Sequence, residues 1–147
     1  MRSATERKTD ALAKLENDAN VWVATADAGG RVHLVPLSLC WFDGEVVVAV
    51  ETRSRTARNL AASGHARLAL GVTDDVVMID VADATVVPRP AAEPALVDAY
   101  RRRTGWDPGE DGGEWIFVRC HPSRMQVWRS VEEITGRTVM RDGAWLA

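Results

Sequence analysis

The residues best suited to chemistry lie between positions 51 and 60, where the sequence reads E-T-R-S-R-T-A-R-N-L. From Thr52 to Asn59, every residue except Ala57 has a side chain that can donate a hydrogen bond. The three arginines of this run are suited to phosphate oxygens, which accept charge-assisted hydrogen bonds. The run is predicted to join a strand to a helix, and the first N–H groups of a helix are unpaired. Glu51–Leu60 is therefore interpreted as an anion-binding loop.

The same residues also fit a solvated helix start, with Ser and Thr serving as N-caps. Arg53, Arg55 and Arg58 repel one another, and positive charge at a helix N-terminus costs some tenths of a kcal/mol per residue. A bound anion would remove that cost. The residues alone leave both interpretations open.

Other catalytic patterns are missing from the sequence. The histidines are far apart, and no Cys/His spacing predicts a metal site. There is no nucleophile elbow, phosphate-binding P-loop or G-x-G-x-x-G motif. We expect no obligatory catalytic residue, and His33 and Tyr100 are the only candidate proton donors. The two cysteines, Cys40 and Cys120, are expected to be buried free thiols.

The aromatic residues include six tryptophans. Trp22 and Trp115 alternate with apolar strand residues and are expected in the core. Trp41 and Trp128 lie near strand ends and could cover a planar ring. Gln126 and Trp128 share one face of their strand.

Composition points to one ordinary globular domain over residues 1–147. Hydrophobic residues make up 46% and charged residues 27%, and the net charge is -3. This balance argues against broad nucleic-acid or membrane binding, which needs a cationic surface. The first ten residues are polar and no apolar run approaches the ~18 residues of a membrane span, so we expect a cytoplasmic protein.

The predicted elements that position these residues are mostly strands. Helices are predicted over Thr5–Ala19, Thr52–Ser63 and Pro94–Thr104. Strands are predicted over Val21–Ala26, Arg31–Phe42, Glu45–Val50, Ala66–Gly71, Val76–Val87, Glu114–Cys120 and Arg124–Trp128. The first three strands are predicted to form a meander, and Asp107–Gly113 a flexible acidic loop. Six or seven strands with short turns predict a mainly β (α+β) antiparallel barrel or sandwich.

Four motifs in this order resemble the pyridoxamine-phosphate-oxidase-like split barrels, specifically their actinobacterial deazaflavin/flavin-dependent branch. They are V-W-V-A-T-A-D-A-G-G-R-V-H-L-V-P-L from Val21, S-R-T-A-R-N-L from Ser54, H-A-R-L-A-L-G from His65 and M-Q-V-W-R from Met125. The resemblance covers nearly the whole chain. It implies a six-stranded antiparallel split β-barrel (FMN-binding split barrel) with a few peripheral helices. It also implies a homodimer with two cofactor sites at the interface.

The resemblance assigns residues to parts of the cofactor. The ring edge would meet the backbone of the second strand, at Val35, Pro36, Leu37 and Ser38. The ribityl chain would lie along Val50, Glu51 and Thr52. The phosphate would be held by Ser54, Arg55 and Thr56, together with Arg58 and Asn59, and Arg53 would belong to the arginine patch beside it. The other subunit would bring up Gln126 and Trp128.

The departures from the family pattern concern the choice of cofactor. Oxidase members that bind flavin mononucleotide (FMN) often carry lysines where this chain has Thr56 and, approximately, Leu39. This favours the deazaflavin coenzyme F-420, whose longer anionic tail the three arginines could meet. The resemblance then implies a hydride-transfer reductase of an unsaturated small molecule. The alternatives are an FMN-binding oxidoreductase, a non-catalytic flavin- or deazaflavin-binding protein, and a barrel with no ligand.

Overall fold

The computed structural model describes residues 1–147. It contains three α-helices, α1 (Ala4–Asn17), α2 (Arg55–Ser63) and α3 (Pro94–Thr104). Its strands are β1 (Asn20–Ala26), β2 (Val32–Ser38), β3 (Cys40–Phe42), β4 (Glu45–Glu51), β5 (Ala66–Val72), β6 (Asp75–Val81), β7 (Thr85–Pro88), β8 (Trp115–Cys120), β9 (Arg124–Trp128), β10 (Thr138–Arg141) and β11 (Ala144–Trp145). None of the helices is long and apolar enough to cross a lipid bilayer.

The strands form two sheets in which every neighbouring pair is antiparallel. The large sheet has the order β11-β10-β9-β6-β5-β1-β2, and the small sheet has the order β3-β4-β8-β7. The fold is the antiparallel split β-barrel with peripheral helices that the sequence predicts. Six of the strands have six or seven residues, and the others are shorter.

Two predicted strands are each broken in two, and the predicted three-stranded meander is wrong. The stretch 31–42 breaks at Leu39, and the stretch 76–87 breaks at residues 82–84. At each break the chain passes from the large sheet to the small one. In a fold whose two sheets share one core, the chain must leave one sheet and enter the other. The sequence does not show where this happens, because the apolar pattern continues through residues 39 and 82–84.

The main core lies between the two sheets and includes Ala11 and Leu15 of α1. A second apolar cluster, around Tyr100 and Phe117, lies between α3 and the small sheet. Cys40 and Cys120 are buried and free, as predicted. The prediction for Trp22 is wrong, because this side chain is 48% exposed on the outward face of the large sheet. Trp115 is half-buried against the second cluster.

The start of the predicted acidic loop is held firmly rather than free. The Asp107 carboxylate is buried and accepts two hydrogen bonds of 2.8 Å from Arg89 and one of 2.8 Å from Arg101. The Gly109 amide donates to it as well, at 2.8 Å. These donors hold the pKa of Asp107 far below its usual range, with the Arg89 hydrogen bonds as the largest cause. The carboxylate therefore ties the loop to α3 and to the turn at Arg89.

A second buried carboxylate joins the two ends of the chain. Glu133 accepts hydrogen bonds from the Arg2 backbone amide (2.9 Å), the Arg2 guanidinium (2.8 and 3.1 Å) and the Arg129 amide (2.7 Å). The Arg2 side chain is the largest cause that lowers the pKa of Glu133 to about 2. Arg7, also buried, donates to the carbonyl groups of Arg2 and Gly136. The start of α1 is thereby fixed to the segment before β10.

We expect Glu133→Gln to lower the free energy of unfolding at neutral pH by about 2 kcal/mol, because the variant loses charge-assisted hydrogen bonds. The folded pKa of Glu133 lies below the unfolded one, so this stabilisation is present above pH ~4.3 and is lost as the pH falls towards 2. Urea unfolding of both proteins from pH 7 down to pH 3 measures the difference. Glu132→Gln is the control, since Glu132 is exposed. A difference that does not shrink with acid would contradict the assignment.

Candidate functional site

The N-terminus of α2 leaves backbone donors without acceptors. Ser54 is the N-cap, and its Oγ accepts the Ala57 amide at 3.1 Å. The Ser54 amide itself donates to the Glu51 carbonyl at 3.0 Å, which closes the turn after β4. The amides of Arg55 and Thr56 have no acceptor. Two adjacent free N–H groups at the positive end of a helix form an anion-binding position.

The arginines of this loop are also unpaired. Arg53, Arg55 and Arg58 are exposed and make no salt bridge or side-chain hydrogen bond, and the first turn of α2 contains no acidic residue. Elsewhere in the chain arginines are typically paired, as Arg119 is with Glu45 at 2.7 Å. The loop therefore holds three arginines that have no ion-pair partner in this chain.

Two strand edges open beside this loop. β2 pairs with β1 alone, and β3 pairs with β4 only as far as the Cys40–Val47 pair. The outer edge of β2 and the edge of β4 from Val48 onward therefore carry no partner strand. These edges include the predicted ring contacts (Val35, Pro36, Leu37 and Ser38) and the predicted ribityl contacts at Val50 and Glu51. Unpaired backbone N–H and C=O groups are available there to a flat polar molecule.

A cavity of about 300 Å³ adjoins the loop. It is lined by Glu51, Thr52 and Arg53 on one side and by Gly113 and Glu114 on the other. Thr52 closes its floor by donating from its amide (3.0 Å) and its hydroxyl (3.2 Å) to the Glu114 carbonyl. The end of the acidic loop thus borders the predicted phosphate loop.

Two of the predicted phosphate ligands have buried side chains. Asn59 donates to the Thr25 hydroxyl at 3.1 Å, so its amide already has a partner inside the barrel. Thr56 is also buried, and its backbone amide, which has no acceptor, is the group of this residue that could bind an anion. Their contacts to a phosphate stay predictions, and for Asn59 the Thr25 bond competes.

Gln126 and Trp128 lie on β9, which is remote from β2 in the large sheet of the same chain. Both are on the outward face of β9, because their neighbours Met125 and Val127 point into the core. Three strands separate β9 from β2, a distance of about 19 Å along the sheet at four strand spacings. The two predicted parts of the site are therefore not brought together within one chain.

Tyr100 and the two cysteines lie away from the open edges, whereas His33 lies on β2 itself. Tyr100 is buried beneath α3, and burial raises its pKa above its usual range. Burial also raises the pKa of Cys120 to about 12 and raises that of Cys40, so neither thiol is ionised at neutral pH. His33 lies on β2 opposite Thr25, two residues before Val35. No acid–base pair is assembled around the loop.

Comparison with known proteins adds a family and a set of similar folds. The family model for pyridoxamine 5'-phosphate oxidase matches residues 8–137. No curated protein sequence matches the chain.

Solved structures with the same fold include three instructive cases. A conserved hypothetical protein from Mycobacterium tuberculosis has a TM-score of 0.68 and 19% identity, covering 88% of this chain and 86% of that chain. A structure named F420 reductase has a TM-score of 0.64 and 16% identity, covering 77% of this chain and 93% of that chain. A pyridoxamine 5'-phosphate oxidase-related, FMN-binding protein from Nostoc punctiforme has a TM-score of 0.60 and 18% identity, covering 86% of each chain. These likenesses establish the fold.

We expect Arg55→Ala to leave the free energy of unfolding unchanged, or to raise it by a few tenths of a kcal/mol, in a buffer without multivalent anions. The substitution removes positive charge from the positive end of a helix. Arg102→Ala is the matched control: Arg102 is also exposed and unpaired, but it lies in the last turn of α3, where its charge is favourable. We expect that variant to lose a few tenths of a kcal/mol. Urea unfolding compares the two, and a larger loss for Arg55→Ala would contradict the anion-site interpretation.

Proposed function

The chain belongs to the pyridoxamine 5'-phosphate oxidase family, and from that premise we propose that it is an oxidoreductase that binds a flavin-type cofactor. The observation that carries the proposal is the start of α2, where two free amides and three unpaired arginines meet. This donor set fits the phosphate of such a cofactor. Two proteins of the same fold are named for F420 and for FMN, which supports the same class of cofactor.

The residues present divide into three binding regions. The Arg55 and Thr56 amides, with the nearby guanidinium groups, would hold the phosphate. The backbone edge of β2 from Val35 to Ser38 would hold the polar edge of the ring. The end of β4 would run beside the ribityl chain through its backbone, because the Val50 side chain belongs to the core.

The bound cofactor would supply hydride transfer to or from an unsaturated substrate. The chain's own contribution is to bind and orient it. No side chain of the loop is placed to donate or remove a proton, so catalysis would depend on orientation alone.

Coenzyme F-420 is the proposed cofactor, with FMN as the alternative. The positions where FMN-binding oxidases often carry lysines hold Thr56 and, approximately, Leu39 here, and both residues are buried. The phosphate and the tail of a deazaflavin must then rely on Arg53, Arg55 and Arg58. The cavity beside the loop is lined by Glu51 and Glu114, whose negative charges repel an anionic tail. A tail would therefore follow the exposed side of α2, towards Arg55 and Arg58.

The functional unit is proposed to be a homodimer with two cofactor sites. The outward face of the large sheet carries Trp22 and Leu34, which are 48% and 58% exposed. Cross-strand pairing places Trp22 beside Ala69, and Ala69 beside Met78, so the apolar surface is continuous across three strands. Covering this face with a second copy would bring the partner's β9 towards the loop, which one chain alone does not do.

Sedimentation velocity should give twice the mass of one chain, and a single-chain mass at micromolar concentration would contradict the dimer.

We expect coenzyme F-420 to bind more tightly than FMN in parallel fluorescence titrations, and Arg55→Ala to weaken binding by about 1.5–3 kcal/mol, the contribution of one charge-assisted contact. Arg102→Ala is again the control and should bind as the wild type does. Tighter FMN binding, or a yellow purified protein with a flavin spectrum, would contradict the preference for the deazaflavin.

Two further outcomes separate the remaining alternatives. If Arg55→Ala and the wild type bind the cofactor equally well, the assignment of the phosphate site to the start of α2 is wrong. Tight binding without reduction of any unsaturated substrate, with the cofactor supplied in its reduced form, would favour a non-catalytic carrier.

A further inference from the structure

Gln126 is held by an arginine from a strand that is not its neighbour. Arg67 of β5 reaches past β6 and donates from Nη2 to Gln126 Oε1 on β9, at 3.4 Å. The Nε atom of the same guanidinium forms a salt bridge of 3.1 Å with Asp80 of β6. Asp80 also accepts a hydrogen bond of 2.5 Å from Arg124 Nε, so its carboxylate lies between two arginines.

This contact settles which way the Gln126 amide faces. A guanidinium can only donate, so the amide oxygen must turn to Arg67 and the NH₂ group must turn away. The Gln126 side chain is 8% exposed although its strand face is the outward one. Its Nε2 has no partner within the chain and is not fully enclosed. Gln126 therefore presents a donor, and not an acceptor, to whatever covers this face.

We propose that Arg67 is a positioning residue that fixes Gln126 as a hydrogen-bond donor to a carbonyl oxygen of the cofactor ring in the partner subunit. The inference rests on the proposed function and adds the chemistry of one contact. The pyrimidine-dione end of a flavin or deazaflavin carries carbonyl oxygens, which are acceptors of this kind. A ligand group that can only donate would meet the wrong side of the amide.

The arrangement provides its own control. Arg124 and Arg67 bind the same carboxylate, and their side chains are 46% and 53% exposed. Only Arg67 touches Gln126. If the role of Arg67 is to neutralise Asp80, both arginines should be equally important. If its role is to orient the amide, only Arg67 should affect the ligand.

The experiment is a fluorescence titration with coenzyme F-420 and FMN on Arg67→Met, Arg124→Met, Gln126→Ala and the double variant Arg67→Met/Gln126→Ala. We expect Arg67→Met to weaken binding about 5-fold, the effect of one hydrogen bond, and Arg124→Met to bind as the wild type does. The double variant should bind no more weakly than Gln126→Ala, because an orienting residue has no effect once the amide is gone. Equal losses for the two arginines, or additive losses in the double variant, would overturn the proposal.

Gln126→Glu tests the donor without disturbing Arg67. A carboxylate keeps the contact to the guanidinium and has nothing to donate, so this variant should bind as weakly as Gln126→Ala. Wild-type affinity in Gln126→Glu would overturn the proposal. A wild-type protein that binds neither cofactor would overturn both this proposal and the proposed function. If the wild type binds cofactor and Arg67→Met binds it equally well, only this proposal is overturned.

Discussion

The passage of the chain from the large sheet to the small sheet at Leu39 determines the shape of the site. The Leu39 side chain is buried in the core, and its amide donates to the Ala19 carbonyl at 3.0 Å, which extends the β1–β2 pairing by one residue before the chain leaves the large sheet. Because β3 then pairs with only the first residues of β4, two strand edges diverge and stay open. Those edges lead to the start of α2. A continuous strand through residue 39 would have closed the opening.

Charge distinguishes this opening from the rest of the surface. Buried carboxylates elsewhere are neutralised by arginines, as Asp107 is by Arg89 and Glu133 is by Arg2. The same chain leaves three arginines unpaired at the positive end of one helix. Leaving that repulsion in place costs stability, and the anionic ligand that we propose would offset this cost.

Local signals in the sequence predicted most of the elements. Helix α3 was predicted with its observed bounds, and the donor-rich loop before α2 was found from residue types alone. The breaks at Leu39 and at residues 82–84 were missed, because an apolar run does not show which sheet each half joins. Trp22 was misplaced for a related reason: alternation shows that a strand has two faces but not which one is covered.

The sequence does not show which side chains far apart in the chain form hydrogen bonds with one another. The ties from Arg2 to Glu133 and from Arg67 to Gln126 join residues 131 and 59 positions apart, and no local pattern links them. The separation of Gln126 and Trp128 from the predicted ring contacts on β2 likewise became visible only with the strand order. That separation is the strongest structural support for a site built by two chains.

The most direct test of this two-chain site is subunit complementation. Arg55→Ala damages the loop side and Gln126→Ala damages the opposite side, and each variant alone should bind coenzyme F-420 weakly. Mixed and allowed to exchange subunits, the two should form dimers in which one site carries both substitutions and the other carries neither. The account predicts that a population of sites with wild-type affinity returns on mixing. A mixture that binds no better than the two variants measured separately would show that each chain builds its site alone.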